Sequence, residues 1–128
     1  MIHLAIAEDH REMRAAIRLL LRLSPNIDVV CEASTGQQAI EHVQHHQPDV
    51  LLMDVFMPGL DGLKATRQIT DLSLPTRVIL ISFGERRAFI KAAISAGAWG
   101  YLPKHNLIES LLIAIETVHR GDRYFPED

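Results

Sequence analysis

Short apolar runs alternate with amphipathic stretches along this chain, and the alternation repeats five times. Residues 2–7 (Ile-His-Leu-Ala-Ile-Ala) predict a first strand. Over 10–23 the period becomes helical: Met13, Ala16, Ile17 and Leu20 share one face, and Arg11, Arg14, Arg18 and Arg22 share another. Ser24-Pro25-Asn26 stops that helix. A second strand follows over 27–33, and its polar residues place it near a sheet edge. Ser34-Thr35-Gly36 opens a helix over 36–47, ended by Pro48. Residues 49–53 form a third strand, wholly apolar after Asp49, as suits the middle of a sheet covered on both faces. Asp54 ends that run, and a loop carrying Pro58-Gly59 leads to Asp61, the N-cap of a third helix reaching Leu72. Strand four covers 76–82, helix four 85–96 with Gly97 as its stop, and strand five 98–102. Asn106 caps a fifth helix, with Glu109 three residues on as in a capping box, and Arg120-Gly121 closes it.

Five strands alternating with five helices imply right-handed crossovers, hence a parallel sheet with helices on both faces. Residues 1–121 make one domain, and 122–128 read as a tail or the start of a linker. At 128 residues, 48% hydrophobic and 23% charged, the composition is that of an ordinary globular domain. The net charge of −3 argues against autonomous nucleic-acid binding. With no apolar run long enough for a membrane and acids at Glu8 and Asp9 just after the first strand, a cytoplasmic location is expected, without membrane contact. One cysteine, Cys31, excludes an internal disulfide and a cysteine-based zinc site; in its apolar run it reads as a buried, inert thiol.

Candidate chemistry gathers at the strand ends. Glu8 and Asp9 follow strand one, and Asp54 follows strand three. Open parallel sheets bind ligands beyond the carboxyl ends of their strands, where the strand order reverses. In the order 2-1-3-4-5 that point lies between strands one and three, so the three acids converge although 45 residues separate Asp9 from Asp54. Clustered carboxylates repel, and a hard divalent cation with few protein oxygens relieves the repulsion; that description fits Mg²⁺. Ser82 ends strand four and Lys104 follows strand five. Acids, a hydroxyl and a lysine around one point suit a metal-bound phosphoryl group. Taken singly each has a bland reading as loop, cap or solvated side chain; their coincidence on one edge of the sheet is what carries weight.

The ordered set Glu8-Asp9, Asp54 within Leu-Leu-Met-Asp-Val-Phe-Met-Pro-Gly-Leu-Asp-Gly, Ser82, and Gly-Ala-Trp-Gly-Tyr-Leu-Pro-Lys at 97–104 resembles the receiver domain of a two-component response regulator. The likeness runs from about residue 2 to 121, and Met57 to Ile69 with Gly97 to Lys104 resemble the branch that carries a C-terminal LuxR-type helix-turn-helix output domain. The resemblance implies a flavodoxin-like (βα)5 three-layer sandwich with a five-stranded parallel sheet of order 2-1-3-4-5. It implies that Asp54 is the phosphoacceptor and that Asp9, Asp54 and the backbone carbonyl of Phe56 hold Mg²⁺, with Glu8 beside them. Lys104 and Ser82 would contact phosphoryl oxygens, and Tyr101 would turn inward when Ser82 moves. The partners it implies are a sensor histidine kinase or phosphotransfer protein, and the output surface is the face formed by helix four, strand five and helix five. Such a domain is a signalling switch assisting its own phosphoryl transfer and hydrolysis, not an enzyme acting on a separate substrate; it touches DNA only through an output domain.

Several residues depart from the family pattern. Glu8 replaces the commoner Asp, Phe83 stands where Ala or Gly is usual, Phe56 adds a second bulky neighbour, and His105 follows Lys104 where an acid is common. His42, His45 and His46 read as a solvated histidine-rich face with metal binding as the rival reading, the arginine stripe as a solvated face with kinase docking as its rival, and Arg86, Arg87 and Lys91 as exposed charges. Helix five is too widely apolar for one stripe, which predicts a homodimer through helices five and one, or through strand five and helix four. Three alternatives are weighed. An FMN-binding domain needs a hydroxyl- and glycine-rich first loop, but here it is Ala-Glu-Asp-His-Arg-Glu. An aspartyl-phosphate phosphohydrolase needs a second Asp two residues on, where Phe56 stands. A degenerate receiver, working unphosphorylated as an interaction module, is the reading Phe83 keeps open.

Overall fold

The computed structural model describes residues 1–83 and 87–126. Helix four is described from Arg87, so the expected start at 85 and the reading of Arg86 lie outside the described residues. In chain order the elements are β1 (Ile2–Ala7), α1 (Arg11–Leu21), β2 (Ile27–Ala33), α2 (Gly36–His46), β3 (Val50–Asp54), α3 (Gly62–Asp71), β4 (Arg77–Ser82), α4 (Arg87–Ala96), β5 (Gly100–Pro103) and α5 (Leu107–His119). The strands pair in parallel, as the alternation implied, and in the order β2-β1-β3-β4-β5 that the resemblance implied, with β2 at an edge.

Strand alternation divides the core. Ile2, Leu4 and Ile6 of β1, Val50 and Leu52 of β3, and Ile79 and Ile81 of β4 pack against Ile17 and Leu21 of α1 and Leu111, Ile115 and Val118 of α5. Their neighbours Ala5, Ala7, Leu51, Met53, Val78 and Leu80 face Ile40 and Val43 of α2, Ala65 and Ile69 of α3, and Ala93 of α4. Both sheet faces are covered, which is why β3 reads as a continuous apolar run. Each such Leu or Ile contributes about 1.5–3 kcal/mol of burial.

The caps follow local chemistry, with one exception. Thr35 Oγ1 accepts from the Gln38 amide at 3.1 Å and Asp61 Oδ1 from the Lys64 amide at 2.9 Å. Gly97 closes α4 at φ +97°, a conformation open to glycine. The capping box at Asn106 does not form: its side chain makes no cap hydrogen bond. A 3₁₀ turn over Lys104–Asn106 precedes α5 instead, and the Leu107 amide is satisfied by the Lys104 carbonyl.

Strand ends also shift by one or two residues in β3, β4 and β5. β3 extends to Asp54 because the Val55 amide still donates to Ile81 O at 2.9 Å. β5 starts at Gly100 because the Ala98 amide still belongs to the end of α4, donating to Ala93 O at 2.9 Å. Beyond Gly121 the chain returns to the sheet: the Tyr101 amide donates to Tyr124 O and the Tyr124 amide to Trp99 O, each at 2.9 Å.

Candidate functional site

The carboxyl ends of β1, β3, β4 and β5 deliver Glu8, Asp9, Asp54, Ser82 and Lys104 to one place, as their strand positions predict. Lys104 is its centre. Its Nζ lies 2.9 Å from Asp54 Oδ2 and 2.8 Å from Glu8 Oε1. The bond to Asp54 is a full hydrogen bond, whereas Glu8 Oε1 is an ion-pair contact without hydrogen-bond alignment. All three residues are buried. Asp54 Oδ1 accepts from the Phe56 amide at 3.1 Å, and Glu8 Oε2 from the His10 amide at 3.2 Å.

Backbone approach places these groups. Gly62 sits so close to β3 that a Cβ there would fall 2.2 Å from the Asp54 carbonyl oxygen. Its amide donates to Val55 O at 2.7 Å. Only glycine lets α3 seat its first turn against the end of the strand that carries Asp54.

The electrostatics are those of two buried acids sharing one cation. Burial pushes Asp54 up to about 6 and the charge of Glu8 adds to that, against the opposing pull of Lys104 and the Phe56 amide. Burial also acts upward on Glu8, but the Lys104 ammonium and the His10 amide outweigh it and hold Glu8 low. Burial acts downward on Lys104, and the two carboxylates outweigh it and hold the ammonium above its usual range.

A divalent cation fits the remaining donors. Glu8, Asp9, His10 and Asp54 each offer a ligand atom, all within 4.8 Å of one another. Asp9 Oδ1 is buried without a hydrogen-bond partner among the described residues, although His10 Nδ1 stands 3.3 Å away. A buried oxygen without a donor, beside two further carboxylates, is what a hard cation satisfies.

Other expected residues fall less simply. Ser82 is buried, and its Oγ donates to the carbonyl of Phe83 at 3.1 Å. Tyr101 is already wholly buried, on the sheet face covered by α2, α3 and α4. Phe83 is 67% exposed, with Lys104 Nζ 4.9 Å from its ring centroid. Phe56, also exposed, meets Phe89 edge-on at 5.3 Å. His10 went unnoticed in the sequence, though its place directly after the acid pair was the available signal. Two of the four stripe arginines are engaged within the chain: Arg14 Nε lies 3.3 Å and Arg18 Nη1 2.7 Å from the Glu32 carboxylate. Arg14 also donates to Glu8 O at 2.6 Å, tying α1 to the site.

Comparison with known proteins agrees with this geometry. Residues 4–116 match the family model for the response regulator receiver domain. The chain is 39% identical over 128 residues to the transcriptional regulatory protein DesR of Bacillus subtilis, covering 99% of this chain and 63% of DesR. It is 36% identical to the response regulator UvrY of Escherichia coli, covering 100% of this chain and 59% of UvrY. It therefore spans about three-fifths of the length of these relatives. Among solved structures, the signal receiver domain of NarL from Mycobacterium tuberculosis superposes with a TM-score of 0.90 at 34% identity, over 94% of this chain and 97% of that one. A LuxR-family response regulator from Aurantimonas gives 0.93 at 31%, over 97% and 89%. The chain belongs to the family of response regulator receiver domains, the phosphorylation-controlled switches of two-component signalling.

Proposed function

We propose that Asp54 is the phosphoacceptor. The observation that carries this is the Asp54–Lys104 contact at 2.9 Å on the sheet edge where Glu8 and Asp9 complete an acidic cluster. The Phe56 amide on Oδ1 and the Lys104 ammonium on Oδ2 fix the plane of the carboxylate. An Asp54 oxygen attacks phosphorus, the P–N bond of a phosphohistidine breaks, and the imidazole leaves with the electron pair. Lys104 then moves its charge from carboxylate to phosphoryl oxygen, and the Ser82 hydroxyl exchanges the Phe83 carbonyl for another phosphoryl oxygen. Asp9, Asp54 and the Phe56 carbonyl would hold Mg²⁺, which when bound neutralises charge on the transferring group. Glu8, one methylene longer than aspartate, serves as the second anchor of Lys104.

The readout is the face formed by α4, β5 and α5. Because Tyr101 already lies inward, the element biased by modification is the Ser82–Phe83 segment rather than a swing of the tyrosine. We infer a cytoplasmic switch consisting of residues 1–121, with 122–128 leading toward a helix-turn-helix output half and DNA contacted only through that half. A histidine kinase or phosphotransfer protein supplies the phosphoryl group. Exposed Leu19 and Leu23 near α1 and Ile108 and Ile113 on α5, two helices that share a sheet face, support a homodimer there. Among the described residues no helix is long and apolar enough to cross a membrane.

Incubation with Mg²⁺ and a small acyl-phosphate donor, read by intact mass, tests the assignment. We expect one added phosphoryl group, absent in Asp54→Asn. No addition under these conditions, together with no response to beryllofluoride by NMR, would favour the unphosphorylated interaction module.

A further inference from the structure

A second cluster lies outside the acidic site, and a slip in strand pairing creates it. In the β1–β2 ladder Leu4 pairs with Val29 but Ala5 pairs with Cys31, so Val30 is an extra residue. The bulge reverses the alternation of β2. Ile27 and Val29 pack on the side of α1 and α5, whereas Cys31 and Ala33 pack on the side of α2. Were Val30 paired in regular register instead of bulged, Cys31 would point with Val29, away from α2.

On α2, His42 and His46 are four residues apart and share one helix face, with ring centroids 5.8 Å apart. Cys31 Sγ and one nitrogen from each of these two rings all lie within 4.8 Å of one another. Among the described residues, none of the three side chains makes a hydrogen bond. Cys31 and His42 are half-buried and His46 is exposed, so the donors are reached from solvent. The sequence alone suggested a buried, inert thiol, no cysteine-based zinc site and a solvated histidine face; Cys31 is instead half-buried, and the fold sets it against the two histidines.

We propose that Cys31, His42 and His46 form a binding site for one zinc-class divalent cation, tying edge strand β2 to α2. Two imidazoles and a thiolate are borderline-soft donors, unlike the oxygen set at the strand ends, so the two sites select different metals. With Zn–S near 2.3 Å and Zn–N near 2.0–2.1 Å, a tetrahedral ion spaces its donors by about 3.3–3.6 Å. The three side chains therefore close by no more than about 1.5 Å, through rotation of imidazoles that no hydrogen bond holds. The thiol proton leaves to solvent as the sulfur coordinates, and water completes the fourth position. Without metal the thiol stays protonated, since burial first, and then Glu32, push it up.

The test is titration of the untagged full chain with Co²⁺ in excess Mg²⁺, followed by absorption. We expect one equivalent bound, with a thiolate-to-cobalt band in the near ultraviolet and tetrahedral bands in the visible, all displaced by Zn²⁺. Cys31→Ser removes the near-ultraviolet band. His46→Ala, an exposed change that spares the fold, and His42→Ala each weaken binding by at least about tenfold. Asp54→Asn leaves the spectrum unchanged, which separates this site from the acidic one. Absence of the thiolate band in the parent chain, or a band of equal affinity in both histidine variants, overturns the proposal.

Discussion

Replacing Asp54 by asparagine should stabilise the metal-free protein, increasingly as pH rises. The ordinary value for this carboxyl is 3.8 and in the fold it is pushed up to about 6, burial being the first cause and Glu8 adding to it. A raised carboxyl binds its proton more tightly when folded. The resulting stability is present below the unfolded value and is lost as pH climbs through the folded one. At 1.36 kcal/mol per pH unit, keeping Asp54 ionised above pH 6 costs about 3 kcal/mol relative to the unfolded chain. At pH 5 only about 1.6 kcal/mol of that has accrued. The amide of the Asp54→Asn variant keeps an acceptor for the Phe56 N–H and carries no charge to repel Glu8. Urea denaturation in EDTA should show the variant gaining on the parent by roughly 1.4 kcal/mol between pH 5.0 and 7.5. With a slope of about 2 kcal/mol/M, the midpoint difference then widens by roughly 0.7 M. Working from the difference between two pH values removes any constant cost of the substitution. Saturating Mg²⁺ should narrow the gap at pH 7.5 by stabilising the parent alone. A difference that is flat with pH, or shrinks as pH rises, would refute the reasoning.

Further outcomes follow from the same contacts. Lys104→Met leaves Glu8 and Asp54 buried without their cation and should cost about 3–5 kcal/mol by denaturant titration, with Asp54→Asn in the same chain recovering part of it. Phe83→Ala uncovers the ammonium that its ring overlies at 4.9 Å; radiolabel time courses should show gain and loss of the phosphoryl group both accelerating by about two- to fivefold, equivalent to about 0.5–1 kcal/mol. Asp61→Ala removes the acceptor for the Lys64 amide and should lower unfolding free energy by about 1 kcal/mol, with the phosphorylation rate unchanged.

Periodicity alone determined much of this protein. Apolar residues at strand and helix spacing report directly which faces are buried, so the five strand–helix repeats, the cap at Asp61 and the stop at Gly97 were legible. So was the convergence of Glu8, Asp9, Asp54, Ser82 and Lys104, because a parallel sheet sends every strand's carboxyl end to one edge. Tertiary structure decided what local spacing does not encode. Asn106 makes no cap because a 3₁₀ turn over Lys104–Asn106 leads into α5 and takes its backbone out of the extended N-cap conformation. Tyr101 lies inward, packed on the sheet face covered by α2, α3 and α4. The value near 6 at Asp54 arises from burial and from Glu8, 46 residues away along the chain. Cys31 faces α2 only because β2 slips by one residue against β1, and a register is a relation between strands, set by both partners rather than by either sequence.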